Sequence, residues 1–199
     1  MSAFGRRPGP ENLPPVGEVE DAIRLVAAEE IMPRFQVLEA HEVSEKEGGE
    51  IVTAADTESE RRLEELLIDL VPGSVVVGEE GYAADERVMD RLGGTAPVWI
   101  IDPLDGTRNF AAGKEMFCVI VAFVQNGSVD AGWIYDPVAD DMMQAVRGGG
   151  VRDGRGGILL GPPPPTTPVM RGSVGKRRRE KLIELGDDNV PRIMVRYRC

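Results

Sequence analysis

Histidine is almost absent: His41 is the only one among 199 residues. Ser-His-Asp triads, paired-histidine zinc sites and Cys-His pairs are therefore excluded unless His41 itself serves. It stands among Glu39, Glu42 and Glu45, the setting of a solvated histidine at a helix end. Cysteine is equally scarce. Cys118 in an apolar run and Cys199 at the last position make no disulfide framework and fit a reducing compartment, so the cytoplasm is expected. No run of about 18 apolar residues occurs, and the opening MSAFGRRPGPENLPPVG has two arginines but no apolar stretch of signal-peptide length. A soluble chain with a flexible tail over 1–17 and no membrane partner is expected. Basic residues are outnumbered 23 to 34, a formal charge of −11, which argues against nucleic acid or an anionic membrane as the main partner. Against these absences, 42% apolar composition is enough for a substantial core, and carboxylate and hydroxyl chemistry remains. An acidic protein handling an anionic substrate needs a metal bridge.

Val19, Ile23, Val26, Ile31, Phe35 and Leu38 recur at helical spacing and predict a helix over 18–40 with a break near Pro33. Leu63, Leu66, Leu67 and Leu70 predict a second helix over 57–71, stopped by Pro72-Gly73. Between them Ile51–Asp56 reads as extended chain, with Asp56 near the helix start, where a carboxylate favours the dipole. Val75–Val77 is a short strand ending in Gly78-Glu79-Glu80-Gly81. Phe117–Val124, the turn Gln125-Asn126-Gly127 and Val129–Tyr135 form a hairpin signal, and Met142–Val146 adds a third strand before Gly148-Gly149-Gly150. Helices first and adjacent strands after predict an α+β fold in layers, with much antiparallel pairing. The principal half spans 18–160. Gly161–Pro168 is a stiff connector, and a helix over 175–185 and a strand over 192–197 would make a partial second half over 166–199. Lys176–Arg179 reads as a solvated basic helix face.

Trp99-Ile-Ile-Asp-Pro-Leu-Asp-Gly-Thr-Arg-Asn-Phe110 ends an apolar strand in two carboxylates, Asp102 and Asp105, beside a glycine turn. Such a turn presents oxygen ligands to a hard cation and backbone N–H groups to an anion. Asp56, Glu79, Asp102, Asp105 and Thr107 lie at three segment ends, which sheet folds bring into one crevice. Gathered carboxylates repel one another unless a cation is bound, and magnesium suits an all-oxygen set that also meets phosphate. Zinc or copper would call for nitrogen or sulfur.

The full stretch, preceded by Gly78-Glu-Glu80 and by Ile51-Val-Thr-Ala-Ala-Asp56 in that order, resembles the inositol monophosphatase family. The resemblance runs from about residue 18 onward and includes Gly132-Trp-Ile-Tyr-Asp-Pro137 and Gly148-Gly-Gly150. It implies a layered αβαβα sandwich of the sugar-phosphatase type, Mg2+ as cofactor, a small phosphorylated substrate and a homodimer. By that resemblance Glu79, Asp102 and Asp105 are side-chain metal ligands, with the Leu104 carbonyl also facing the metal. Asp105, Gly106 and Thr107 would meet the substrate, Gly106 and Thr107 cradling its phosphate, while Asp56 and Thr107 orient and help deprotonate the attacking water. Glu80 would orient a metal-bound water or a neighbouring loop. Lys46 could face the phosphate, although Glu50 stands where the family usually has aspartate and surface solvation suits Lys46 better.

The family's further metal-binding aspartate, in a W-D-x-A-A-G-like motif, has no counterpart, since the only tryptophans are Trp99 and Trp133. A chain truncated at its C-terminal half is therefore expected, with a weakened second metal site. Two readings stand: a magnesium-dependent phosphomonoesterase, and a catalytically impaired relative that keeps partial metal or phosphate binding. Arg108-Asn109-Phe110 favours inositol monophosphate or a small polyol or sugar phosphate, with histidinol phosphate or a nucleotide 3'-phosphate as alternatives.

Overall fold

The computed structural model describes residues 12–45, 51–154 and 157–159, all within one compact unit. The helix over 175–185, the strand over 192–197, the basic cluster and Lys46 lie outside these residues.

The first helical run breaks near Pro33, as predicted, and does not continue to residue 40. Helix α1 covers Val16–Val26, widens into a π turn over Ala27–Ile31 and narrows to a 3-10 turn over Met32–Arg34. Pro33 is the physical reason: it has no N–H for the carbonyl four residues back, and its ring crowds that carbonyl. Gln36 then takes φ 63°, ending any helical run before residue 40.

Strands β1 (Val43–Glu45) and β2 (Ile51–Thr53) form a small antiparallel pair, and β2 runs straight into α2, Ala54–Leu70. Helix α2 begins three residues earlier than expected because Thr53 caps it: Thr53 and Asp56 form a capping box, so Asp56 is the third helical residue. Val19, Ile23 and Val26 of α1 and Leu63 and Leu67 of α2 are fully buried, as the apolar stripes required.

A seven-stranded sheet follows, in the order β3-β4-β5-β6-β7-β8-β9. β3 is Val75–Gly78 and β4 is Val98–Asp105, and these two run parallel. All later neighbours are antiparallel: β5 (Cys118–Gln125), β6 (Ser128–Asp136), β7 (Asp141–Val146), β8 (Gly150–Asp153) and β9 (Ile158–Leu159). The hairpin and the third strand thus stand where their alternation placed them. The parallel pair was not legible, because its crossover is a one-turn-and-a-half helix, α3 (Glu79–Ala84), and a 3-10 stretch over Glu86–Gly93.

Alternation along β3 and β4 sends side chains to two faces. Val76, Trp99 and Ile101 join α1 and α2 in the main core, while Val77 and Val98 meet Val88 and Leu92 of the 3-10 stretch on the other face. Trp99 is the hub of the main core. Its ring centroid lies 4.5 Å from Phe123 and 6.1 Å from Trp133, and its indole N–H donates to Ser74 Oγ at 3.1 Å.

Candidate active site

Parallel pairing places the C-terminal ends of β3 and β4 side by side. The register sets Gly78 beside Ile101, so Glu79, the next residue, comes next to Asp102. The two acids of the β4 run close the strand, as the sequence suggested, with Asp105 its last residue. The pairing with β5 is irregular between Asp102 and Asp105, which re-aims the chain there.

The electrostatics follow from that crowding. The Asp102 carboxyl is pushed up to about 7, first by burial and then by the charges of Glu79 and Asp105, with Glu79 also in hydrogen-bond contact. The Leu104 N–H, which donates to Asp102 Oδ1 at 3.2 Å, pulls the other way and loses. Cys118, buried on β5, points its thiol at Asp105 Oδ2, 3.8 Å away. Among the described residues no group of three or more His, Cys, Asp or Glu side chains is placed so that it could hold a metal ion by itself. An open pair of carboxylates is nonetheless what Mg2+ takes, since it keeps several waters and completes its shell with substrate phosphate. The oxygen donors among the described residues are compatible with such an ion.

A second carboxylate is held quite differently. Asp56 is 3% exposed, yet every side of it has a donor. Oδ2 accepts the Thr53 N–H at 2.8 Å and the Thr53 hydroxyl at 2.6 Å. Oδ1 faces the Thr107 hydroxyl at 2.8 Å, across 51 residues of sequence. Burial pushes this carboxyl up, and the hydrogen bonds oppose that rise. Thr107 Oγ1 also lies 3.0 Å from the Leu104 carbonyl oxygen, so its single proton has two acceptors to choose from.

Thr107 opens helix α4, Thr107–Ala111, directly after Gly106. Gly106 has φ +101°, and a Cβ there would come within 2.7 Å of the Met116 carbonyl oxygen. Only glycine fits both constraints. Beneath α4, Phe110 and Phe117 meet edge to face at 5.1 Å, and Phe35 packs on both at 5.6 and 5.0 Å. This aromatic trio fixes the helix that presents Thr107.

The structure thus brings Glu79 and Asp105 near enough to Asp102 for their charges to act on it, and ties Asp56 through Thr107 to Leu104. Glu79 and Glu80 are the first two residues of α3, not loop acids. His41 is outside the site, with its side chain 77% exposed beside Glu39.

Sequence reasoning missed Glu60. It is 8% exposed on α2, and its two oxygens accept the N–H groups of Glu80 and Gly81, each at 2.7 Å. The signal was present: Asp56, Glu60, Leu63 and Leu67 follow helical spacing, so Glu60 interrupts the face that buries the two leucines.

Comparison with known proteins agrees with this geometry. The inositol monophosphatase family pattern matches residues 13–169. The chain belongs to the inositol monophosphatase family. Nus factor SuhB of Haemophilus influenzae is 33% identical over 122 residues, covering 61% of this chain and 43% of that relative. Inositol-1-monophosphatase of Rhizobium meliloti is 37% identical over 109 residues, 55% of this chain and 39% of that relative. The solved Thermotoga maritima IMPase aligns with TM-score 0.57 and 29% identity over 69% of this chain and 51% of that one. The chain spans about half the length of such relatives or less. The mixed α/β architecture is that of the inositol monophosphatase fold, and metal dependence is general to the family. Among the described residues no helix is long and apolar enough to cross a membrane.

Proposed function

We propose that this chain carries the catalytic half of a magnesium-dependent phosphomonoesterase acting on inositol monophosphate or a related small polyol or sugar phosphate. The observation that carries this reading is the pairing of an overcrowded acidic group, Glu79, Asp102 and Asp105, with the buried Asp56–Thr107 couple. Family membership supports it.

In this reading Glu79, Asp102, Asp105 and the Leu104 carbonyl would hold the cation, and Asp105 with the backbone of Gly106 and Thr107 would receive the phosphate. Mg2+ held there would supply Lewis acidity for the phosphoryl oxygens, a water of lowered pKa and charge for a leaving alkoxide. The protein's own part lies with Asp56 and Thr107. When Thr107 donates to Asp56, its hydroxyl oxygen is left to accept from the attacking water and so orients it. The water oxygen forms the new P–O bond while the ester P–O bond breaks, and the alkoxide takes a proton from solvent water to leave as the alcohol, Asp56 returning its acquired proton to solvent. A water proton passes through Thr107 to Asp56, whose burial favours the neutral form. Glu80 orients water or the adjoining turn. No covalent enzyme intermediate and no histidine is needed. The setting is a cytoplasmic homodimer.

A second reading, a catalytically impaired relative with only partial metal or phosphate binding, has one observation in its favour: among the described residues no group of three or more His, Cys, Asp or Glu is placed so that it could hold a metal ion. The deciding measurement is Mg2+-dependent phosphate release from inositol monophosphate, histidinol phosphate and a nucleotide 3'-phosphate, with Asp105→Asn as control. Release by the native chain that the variant loses is expected. Equal rates at background in both proteins would overturn the catalytic reading.

A further inference from the structure

Glu60 has no place in the chemistry above, and its surroundings do not explain it as a stabilising residue. The charges that act most on it, Glu80 and Glu64, are both negative. A buried carboxylate facing like charges is a poor choice for stability alone, and an apolar residue continuing the Leu63–Leu67 stripe would avoid the desolvation. What Glu60 does make is specific. Each of its oxygens takes one backbone N–H from consecutive residues, Glu80 and Gly81, at 2.7 Å. Two such bonds fix the peptide planes on either side of Glu80, and with them the first turn of α3, whose first residue is Glu79.

Gly78 shows how closely this contact is built. A Cβ at Gly78 would fall against the Glu60 carboxyl carbon, with both oxygens within 2.5 Å. The end of β3 therefore closes on the Glu60 carboxylate without room for any side chain. Helix α2 also carries Asp56 one turn earlier, about 6 Å along the same axis. One rigid helix thereby sets the position of Thr107 through Asp56 and of Glu79 through Glu60.

We infer that Glu60 is a positioning residue for the metal ligand Glu79, acting through the α3 backbone and not by coordination. This rests on the phosphatase reading of Glu79. Its test is Mn2+ binding to the purified 199-residue chain, with free Mn2+ counted by electron paramagnetic resonance and folding followed by circular dichroism. Glu60→Gln replaces one acceptor by a donor and should raise the Kd for Mn2+ roughly tenfold or more. Gly78→Ala should do the same by displacing the carboxylate, and the double variant should be no worse than the weaker single one. Leu66→Ala, on the same helix but packed on the core, should lower Tm and leave the Kd unchanged. An unchanged Kd in folded Glu60→Gln, or additive losses in the double variant, would overturn the positioning role. If Glu60→Gln fails to fold, Gly78→Ala decides on the same criterion. A native chain that binds no Mn2+ overturns the phosphatase reading itself, and the inference with it.

Discussion

Asp56 is buried and Asp102 half-buried, and both are pushed above the ordinary carboxylate range chiefly by burial, yet their neighbours differ in kind. Asp56 is met by three donors, the Thr53 N–H and the hydroxyls of Thr53 and Thr107, within 2.8 Å. Asp102 is met by two more acids and a single N–H at 3.2 Å. The first carboxylate is completed by the chain. Among the described residues nothing positively charged is shown against the second, which is why the proposed reading gives it a cation.

Substitutions at the two places should therefore differ in direction. The largest effect is expected from Asp105→Asn, which removes a charge from the acidic group and should lower Mg2+-dependent phosphate release by at least about 100-fold. Asp56→Ala strands the Thr53 N–H in a buried position and loses the cap, so urea denaturation should show a loss of about 2 kcal/mol. Asp102→Asn relieves repulsion and should raise stability in chelator by up to about 1 kcal/mol, while abolishing stabilisation by Mg2+. A loss of stability there would erase the distinction between the two acids.

The smallest effect is on pH. The folded chain holds a proton on Asp102 that the unfolded chain releases at lower pH, so stability in chelator should fall as pH rises from the ordinary carboxylate range to about 7. Burial of Asp56 and Glu60 works in the same direction. Saturating Mg2+ favours the ionised site and should flatten the trend, as Tm measured across that range with and without the ion will show. A trend that Mg2+ leaves unchanged would place the coupling elsewhere.

Much of this was legible before any coordinates. The alternation in Phe117–Val124 and Val129–Tyr135 and the leucine spacing of α2 are local signals, and each fixed its element within a few residues. The family resemblance then named the acids. What escaped was non-local. Nothing in Val75–Val77 announces a parallel partner more than 20 residues on, and nothing near Glu79 announces that its turn is bonded to Glu60. The length of α1 failed for another reason: the apolar stripe continues past Pro33 through Phe35, but the backbone cannot. Phe35 instead turns back to pack beneath α4.

The single parallel pair in the sheet also sets an order of events. Strands β5 to β8 can zip together from neighbours in sequence, each turn only a few residues long, and such contacts form early. The Asp56–Thr107 bond closes a loop of 51 residues, and Glu79 reaches Asp102 only when β3 docks on the edge of the finished meander. Acids that repel one another are thereby kept apart until most of the surface that will hold them has been buried.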